Sequence, residues 1–134
     1  MRGIAILSGT LLLAIALHSA AGAPVEQIAR GSYLVNSVAM CVQCHTPRDA
    51  SGDLDRSRLL KGAPIPLQSP FPNRAWAFAA PTIAGLPGLS DEDVIALLTT
   101  GHRPTSTAPK PPMPPFRLTR EDAEAVVAYL RSLR

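Results

Sequence analysis

The sequence predicts an all-α fold, and three observations indicate it. Apolar residues recur at helical spacing near both ends of the chain, over residues 25–45 and 118–134. A shorter stretch, residues 89–101, has the same periodicity between clear helix start and stop signals. No stretch alternates apolar and polar residues as a half-buried strand would. The connecting segments hold most of the 14 prolines, about twice the usual share of roughly 5%.

The start of the chain has the pattern of an export signal. Arg2 precedes an apolar run from Ile4 to Leu17, and the small residues "HSAAGA" follow. We expect a signal peptide over residues 1–21 with cleavage near Ala21, and one mature domain over residues 22–134. The alternative is an uncleaved N-terminal anchor, although the run falls short of the roughly 20 residues that span a bilayer. Export would place the domain in an oxidising compartment.

Composition limits the possible functions. Without Arg2, 12 of the 13 basic residues remain against 10 acidic ones, a net charge of +2. This charge is too small to indicate nucleic-acid binding, and no basic run is interleaved with aromatic residues. Six aromatic residues give a mature domain of this size a thin core, and a flat apolar group at its centre would compensate. They are Tyr33, Phe71, Trp76, Phe78, Phe116 and Tyr129.

The first predicted helix covers residues 25–45 and runs into a cysteine motif. Its apolar face is formed by Ile28, Leu34, Val35 and Val38. Gly31 lies in the middle, where glycine costs roughly 1 kcal/mol relative to alanine. We therefore expect another backbone to approach closely at Gly31.

The other two helices have recognisable ends. Ser90 is the expected N-cap of the middle helix, and Gly101 fits the position just beyond its end. Thr119 and Asp122 form an approximate capping box at the start of the last helix. The last helix is strongly amphipathic, so we expect it to pack on the first. The expected buried residues are Val94, Ile95, Leu97 and Leu98, then Ala123, Val126, Val127, Leu130 and Leu133.

The stretch "MCVQCH", residues 40–45, contains both cysteines of the chain. Three chemistries use this pattern: a thiol–disulfide centre, half of a zinc site, or covalent attachment of a c-type haem. Zinc would need His102 as a fourth ligand, and the adjacent Cys44 and His45 rarely both reach one tetrahedral ion. A redox centre would be expected to follow a strand, which the residues before Cys41 do not indicate.

The segment 46–88 is long, rich in proline and glycine, and without periodicity. Such a length counts against a compact domain unless the loop wraps a ligand. A second proline-rich loop holds Met113 between Pro111, Pro112, Pro114 and Pro115. Proline restricts the backbone, so this methionine is held in a defined direction. The alternative is a core methionine in a rigid loop.

The order of these features resembles the class I monohaem cytochromes c. The resemblance runs from Ala29 to Leu133 and rests on "ARGSYLVNSVAMCVQCHTPRD" and "PPMPPFRLTREDAEAVVAYLRSL". Both stretches look like those of bacterial periplasmic cytochromes, including cytochrome subunits of membrane-associated dehydrogenases. The fold implied has crossing N- and C-terminal helices, a short middle helix and long proline-rich loops that wrap one haem.

The resemblance also implies roles for individual residues. Cys41 and Cys44 match the thioether cysteines of one covalently bound haem c, His45 the proximal iron ligand and Met113 the distal one. "APTIAG" is similar to the segment whose proline carbonyl accepts a hydrogen bond from the proximal imidazole, which makes Pro81 that proline. Gly31 and Tyr129 match the glycine and the aromatic residue of the helix crossing.

The segment between His45 and Pro81 is longer than in compact members of this family. Its haem contacts therefore do not follow from the resemblance. Trp76 is a candidate to donate its indole N–H to a haem propionate, and Arg74 or Asn73 are alternatives for that role. Trp76 is equally compatible with a half-buried packing residue.

The resemblance predicts an exported electron carrier, or the electron-transfer subunit of an oxidoreductase, and not an enzyme. Its location would be periplasmic and its partner a dehydrogenase, an oxidase or another cytochrome. Membrane association would come only through an uncleaved N-terminal segment or a partner complex. Two alternatives remain: a haem sensor or haem enzyme from which Met113 departs, and a bis-histidine site in which His102 replaces Met113.

Overall fold

The computed structural model describes residues 22–106 and 108–133, so the predicted signal or anchor segment 1–21 lies outside it. The described chain is mainly helical. The helices are α1 (Gly22–Tyr33), a π-helical turn (Leu34–Val38), α2 (Val42–His45), a 3₁₀ turn (Arg56–Arg58), α3 (Asp91–Thr100) and α4 (Arg120–Ser132), and the strands are β1 (Ala63–Pro64) and β2 (Ala79–Ala80). Among these described residues, no helix is both long enough and apolar enough to cross a bilayer.

The helix predicted over residues 25–45 is interrupted, which corrects the expectation of one continuous helix. The Ala39 N–H donates to the Leu34 carbonyl at 2.8 Å, a five-residue closure that defines a π turn. Met40 then takes a φ of +51°, outside the helical range. The extra residue in the π turn rotates the apolar face of the helix, so Val38, expected to be buried, is 52% exposed. As a result α2, which carries the cysteine motif, begins as a separate helix.

The two terminal helices pack against each other at Gly31, as predicted. A Cβ atom at this position would lie 2.6 Å from the Ala125 carbonyl carbon and 2.8 Å from the Tyr129 Cβ, so only glycine fits. Nearby, the Arg30 guanidinium donates to both carboxylate oxygens of Asp122, at 2.9 and 3.2 Å. This exposed ion pair contributes little, so close backbone contact is the main constraint on how α1 packs across α4.

Gly31→Ala is expected to destabilise the folded protein despite a helix propensity that improves by roughly 1 kcal/mol. The added methyl overlaps the α4 backbone, and overpacking of this kind costs roughly 1–3 kcal/mol. Denaturant unfolding of the holoprotein measures the difference. The control is Ala29→Gly on the exposed side of α1, which should lose only the roughly 1 kcal/mol of propensity. A Gly31→Ala variant more stable than the wild type would contradict the packing argument.

The starts of α3 and α4 are as the sequence predicts. The Ser90 hydroxyl accepts from the Asp93 N–H at 3.1 Å, and the Thr119 hydroxyl accepts from the Asp122 N–H at 3.2 Å. Gly101 ends α3 with a φ of +80°. The capping box at Thr119 is only half formed because the Asp122 carboxylate pairs with Arg30 instead.

The core lies where α1, α3 and α4 meet the loops. Most of the predicted apolar faces are buried, while Leu97 and Leu133 are half-buried. The buried apolar cluster consists of Leu34, Val35, Val42, Leu60, Ala84, Leu86, Val94, Ile95, Leu98, Ala123, Val126, Val127, Tyr129 and Leu130. Tyr129 is the only aromatic residue in that cluster, so the core is built from small and medium side chains.

The long segment after His45 contains more order than its sequence indicates. Two-residue strands β1 and β2 pair antiparallel, with Ala63 opposite Ala80 and Pro64 opposite Ala79. Near its end, Arg131 of α4 donates to the carbonyls of Gly85, Leu86 and Leu89 at 2.8, 3.0 and 2.6 Å. Cross-chain hydrogen bonds of this kind carry no periodic signal, which is why the sequence predicts only a loop.

Candidate haem-attachment site

Helix α2 gathers both cysteines and the adjacent histidine into a little more than one turn. Cys41 is the residue just before the helix, and the His45 N–H donates to its carbonyl at 2.9 Å. Cys41 is half-buried and Cys44 is exposed, and both are free thiols. The spacing therefore places two free thiols beside one imidazole on a single short element.

The orientation of His45 is fixed by a backbone carbonyl. Its Nδ1 lies 2.8 Å from the Pro81 carbonyl oxygen. Because a carbonyl oxygen only accepts, Nδ1 must carry the proton, which leaves the Nε2 lone pair available as a ligand. Burial lowers the pKa of His45, and the hydrogen bond to Pro81 opposes this shift in part. The imidazole is thus held neutral, the form that binds a metal. This is the hydrogen bond that the resemblance assigns to Pro81.

The environment of Cys41 does not suit thiolate chemistry. Burial raises the pKa of its thiol to about 11. Thiol–disulfide exchange and zinc binding both use a thiolate, and cysteines that serve them have a lowered pKa. Within residues 22–106 and 108–133, no group of three or more His, Cys, Asp or Glu side chains could hold a metal ion. These properties count against the first two chemistries, and two free thiols beside an imidazole held by the Pro81 carbonyl suit the third, covalent haem attachment.

The loop that carries Met113 is tied to the segment before Pro81. The Ala77 N–H donates to the Pro111 carbonyl at 2.8 Å, two residues before the methionine. On the other side, the Leu118 N–H donates to the Leu98 carbonyl at 3.0 Å. Met113 is half-buried between these two anchors. Hydrogen bonds therefore add to the restriction that the neighbouring prolines impose.

Two of the three proposed propionate donors, Trp76 and Arg74, have other partners in the structure. The Trp76 indole N–H donates to the Leu67 carbonyl at 2.8 Å, and the side chain is half-buried. This placement corresponds to the packing alternative for Trp76, since a propionate would have to displace Leu67. The Arg74 guanidinium lies over the Phe71 ring at 5.7 Å, and Asn73 occupies a turn with a φ of +72°.

His102, the alternative distal ligand, lies at the surface. Its Nδ1 is 3.1 Å from the Thr100 carbonyl, and its N–H donates to the Thr100 hydroxyl at 3.2 Å. These local contacts fold it back on the end of α3. They are typical of a solvated histidine after a helix terminus.

Three residues close to the site were missed by sequence reasoning: Thr46, Leu60 and Gly62. Thr46 is 1% exposed and its hydroxyl accepts from the Leu60 N–H at 3.0 Å. The Gly62 N–H donates to the His45 carbonyl at 2.8 Å. The only sequence signal was a threonine directly after the motif, which is too common to predict a buried hydrogen bond.

The residues present suit haem c. Two free thiols flank the turn that ends in a neutral imidazole with an available Nε2, and Met113 offers a soft sulfur. These are the features of a helical c-type haem domain, in which cysteine sulfurs hold the cofactor. The sequence profile of the cytochrome c family matches residues 28–134. The chain belongs to the cytochrome c family.

Two relatives support this assignment. The chain is 32% identical over 114 residues to the fructose dehydrogenase cytochrome subunit of Gluconobacter japonicus, covering 78% of this chain and 21% of that protein. It is 35% identical over 115 residues to a diheme cytochrome c-type protein of Cereibacter sphaeroides, covering 81% of this chain and 36% of that protein. The chain thus spans about a fifth and about a third of these relatives.

Family membership confirms the predicted kind of protein. The chain is a c-type cytochrome with a mainly helical fold, consistent with class I. Membership of the cytochrome c family supports an electron-transfer role rather than catalysis. The family implies covalently bound haem c.

Proposed function

We propose that this chain carries single electrons between periplasmic redox proteins through one haem with His45 and Met113 as axial ligands. The observation that carries the proposal is the His45–Pro81 hydrogen bond beside two free thiols. That bond fixes the proton on Nδ1 and leaves the lone pair of Nε2 available as a ligand.

The proposed number of haems rests on the cysteines of this sequence. Covalent attachment uses two cysteines, and the sequence contains two. One haem is therefore the expected content.

The chain's own residues define what kind of centre this is. Haem c, when bound, supplies an iron that changes its charge by one electron. Cys41 and Cys44 hold the cofactor in a domain whose core is too small to retain it by burial alone. His45 supplies a nitrogen ligand, and Met113 a soft sulfur that favours reduced iron and raises the potential. With His45 and Met113 both holding the iron, protein side chains would leave it no open position for a substrate.

The proposed partners and location rest on the relatives and on the chain start. A dehydrogenase is the favoured donor because one relative is named as a cytochrome subunit of fructose dehydrogenase. An oxidase or another cytochrome is the expected acceptor. The segment 1–21 supports export to the periplasm, with removal near Ala21. An uncleaved segment or a partner complex would place the domain at a membrane.

The proposal predicts one haem per chain with six-coordinate, low-spin iron in both oxidation states. Absorption spectra of the exported protein, oxidised and reduced, with a haem-to-protein ratio and a redox titration, measure this. A single midpoint and a ratio near one are expected. Two midpoints, or a high-spin oxidised spectrum at neutral pH, would contradict the proposal. The N-terminal sequence of the purified protein tests cleavage near Ala21 separately.

A further inference from the structure

The segment Leu60–Gly62 precedes β1 and makes hydrogen bonds both to the haem motif and to the residues that follow Pro81; it is called here the bridge segment. On the motif side, the Thr46 hydroxyl accepts from the Leu60 N–H at 3.0 Å in a buried hydrogen bond. The Gly62 N–H donates to the His45 carbonyl at 2.8 Å. Two hydrogen bonds thus fix the bridge segment to His45 and its neighbour.

The same segment is fixed to the residues that follow Pro81. The Leu60 carbonyl accepts from the N–H groups of Ile83 and Ala84, at 2.9 and 3.1 Å. The Thr82 hydroxyl donates to the Lys61 carbonyl at 2.6 Å. The bridge segment therefore determines how far the Pro81 carbonyl stands from the His45 ring.

The bridge segment has little room to adjust. Leu60 is fully buried and has a φ of +58°, which is unusual for a residue with a side chain. A Cβ at Gly62 would lie 2.9 Å from the Thr82 nitrogen and 3.0 Å from the Ala80 carbonyl oxygen. Because the bridge segment is packed this closely, a change in one of its hydrogen bonds also affects the others.

We infer that Thr46 is a positioning residue that sets the reduction potential through the hydrogen bond between His45 and Pro81. Its hydroxyl holds Leu60, Leu60 holds the chain after Pro81, and Pro81 holds the Nδ1 proton of His45. The inference rests on the proposed function, in which Nε2 of His45 binds the iron. A partner on the second nitrogen makes a ligating imidazole more basic.

The direction of the effect follows from the charge on the iron. A stronger Nδ1–H···O bond increases electron donation from Nε2, which favours the oxidised iron. Without the Thr46 hydroxyl, the buried Leu60 N–H loses its acceptor and the bridge segment shifts. The His45–Pro81 bond then weakens, so the potential should rise.

Thr46→Val in the holoprotein tests this, because valine keeps the shape and removes the hydroxyl. We expect about a threefold shift of the reduction equilibrium toward the reduced state. This is smaller than the roughly 10- to 100-fold loss of metal affinity or activity that follows when a ligating histidine loses its direct partner. At 59 mV per tenfold, this shift is a rise of about 30 mV. Exchange of the His45 Nδ1 proton, followed by NMR in the reduced protein, should become faster. Thr46→Ser keeps the hydroxyl, so it should have the wild-type reduction potential and the wild-type Nδ1 exchange rate.

The matched control is Thr99→Val, which removes a half-buried hydroxyl that donates to the Ile95 carbonyl within α3. It should change stability without changing the potential or the Nδ1 exchange. An unchanged potential in Thr46→Val, with wild-type spectra and a single haem, would overturn the inference and leave the proposed function intact. A wild-type protein whose iron lacks histidine would instead overturn the proposed function.

Two further measurements apply if Thr46→Val fails to fold. Thr46→Ala leaves space for a water to accept from the Leu60 N–H, and its potential should lie above that of the wild type by less than the rise of about 30 mV expected for Thr46→Val. In the wild type, the Leu60 amide and the His45 Nδ1 protons should show similar protection from exchange, each relative to its own intrinsic rate. Protection of Nδ1 more than tenfold lower than that of Leu60 would show that the two groups open independently, which overturns the inference.

Discussion

Replacing Cys41 and Cys44 with alanine together is expected to give a protein that loses all haem in acid–organic extraction and unfolds with little cooperativity. The thioether bonds are the only covalent hold on the cofactor that this sequence offers. The buried cluster contains one aromatic residue, five valines, five leucines, two alanines and one isoleucine. A domain of this size buries only about two thirds of its chain surface, so its stability is marginal without the cofactor.

Denaturant unfolding measures the loss of cooperativity, because its slope scales with the surface exposed on unfolding. We expect the double variant to have less than about half the wild-type slope. Met40→Ala serves as the control, since this residue borders the motif and carries no thiol. It should keep both the haem and the slope. A haem-free double variant that unfolds with the full slope would show that the protein core suffices.

The terminal helices and their packing could be predicted because their signals are local. Gly31 is a glycine in a helix, and its cost there indicates a close contact that the structure places at Ala125. Ser90 and Thr119 act as N-caps because each hydroxyl accepts a hydrogen bond from a backbone N–H in the first turn of its helix. In each case the signal lies in a few adjacent residues, although the partner of Gly31 lies far along the chain.

The interruption after Tyr33 and the order within the long loop could not be predicted. The π turn at Leu34–Val38 changes one hydrogen-bond closure without a proline or glycine to mark it. The bridge segment Leu60–Gly62 depends on partners far along the chain, at Thr46 and at Ile83 and Ala84. Periodicity describes faces of regular elements, so it contains no information about such contacts.

The candidate site also contains residues that the sequence singles out and contacts that it does not predict. The cysteine motif and Met113 were singled out by residue type and spacing, and Pro81 by the resemblance. Trp76 shows the limit, because an indole N–H has several possible acceptors and the structure gives it the Leu67 carbonyl. Which acceptor a side chain meets depends on the path of the loop, which the sequence leaves open.

The Met113 sulfur is expected to stay on the iron in both oxidation states, and its removal should have the largest effect on the potential. A thioether is a modest ligand for oxidised iron, so the loop must hold it in place. The hydrogen bonds at Pro111 and Leu118 anchor the loop on either side. The four neighbouring prolines leave little entropy to be gained when the sulfur departs.

Met113→Ala should abolish the sulfur-to-iron charge-transfer band of the oxidised protein and open the iron to added ligands. Loss of the soft sulfur disfavours reduced iron, so we expect the potential to fall by at least about 59 mV, a tenfold change in the equilibrium. Met113→His should keep the iron six-coordinate and also lower the potential. Spectra and redox titrations of the three proteins measure these changes.

The control is His102→Ala, which removes the alternative ligand at the surface and should change neither spectrum nor potential. If that variant lost its low-spin spectrum, His102 would be the distal ligand and the iron bis-histidine. Carbon monoxide binding distinguishes a carrier from the remaining alternative, a haem sensor or enzyme. A carrier whose sulfur stays bound takes up carbon monoxide slowly or not at all in the reduced state. Rapid, tight binding by the wild type would mean that Met113 departs readily, and the chain would then be a sensor or an enzyme.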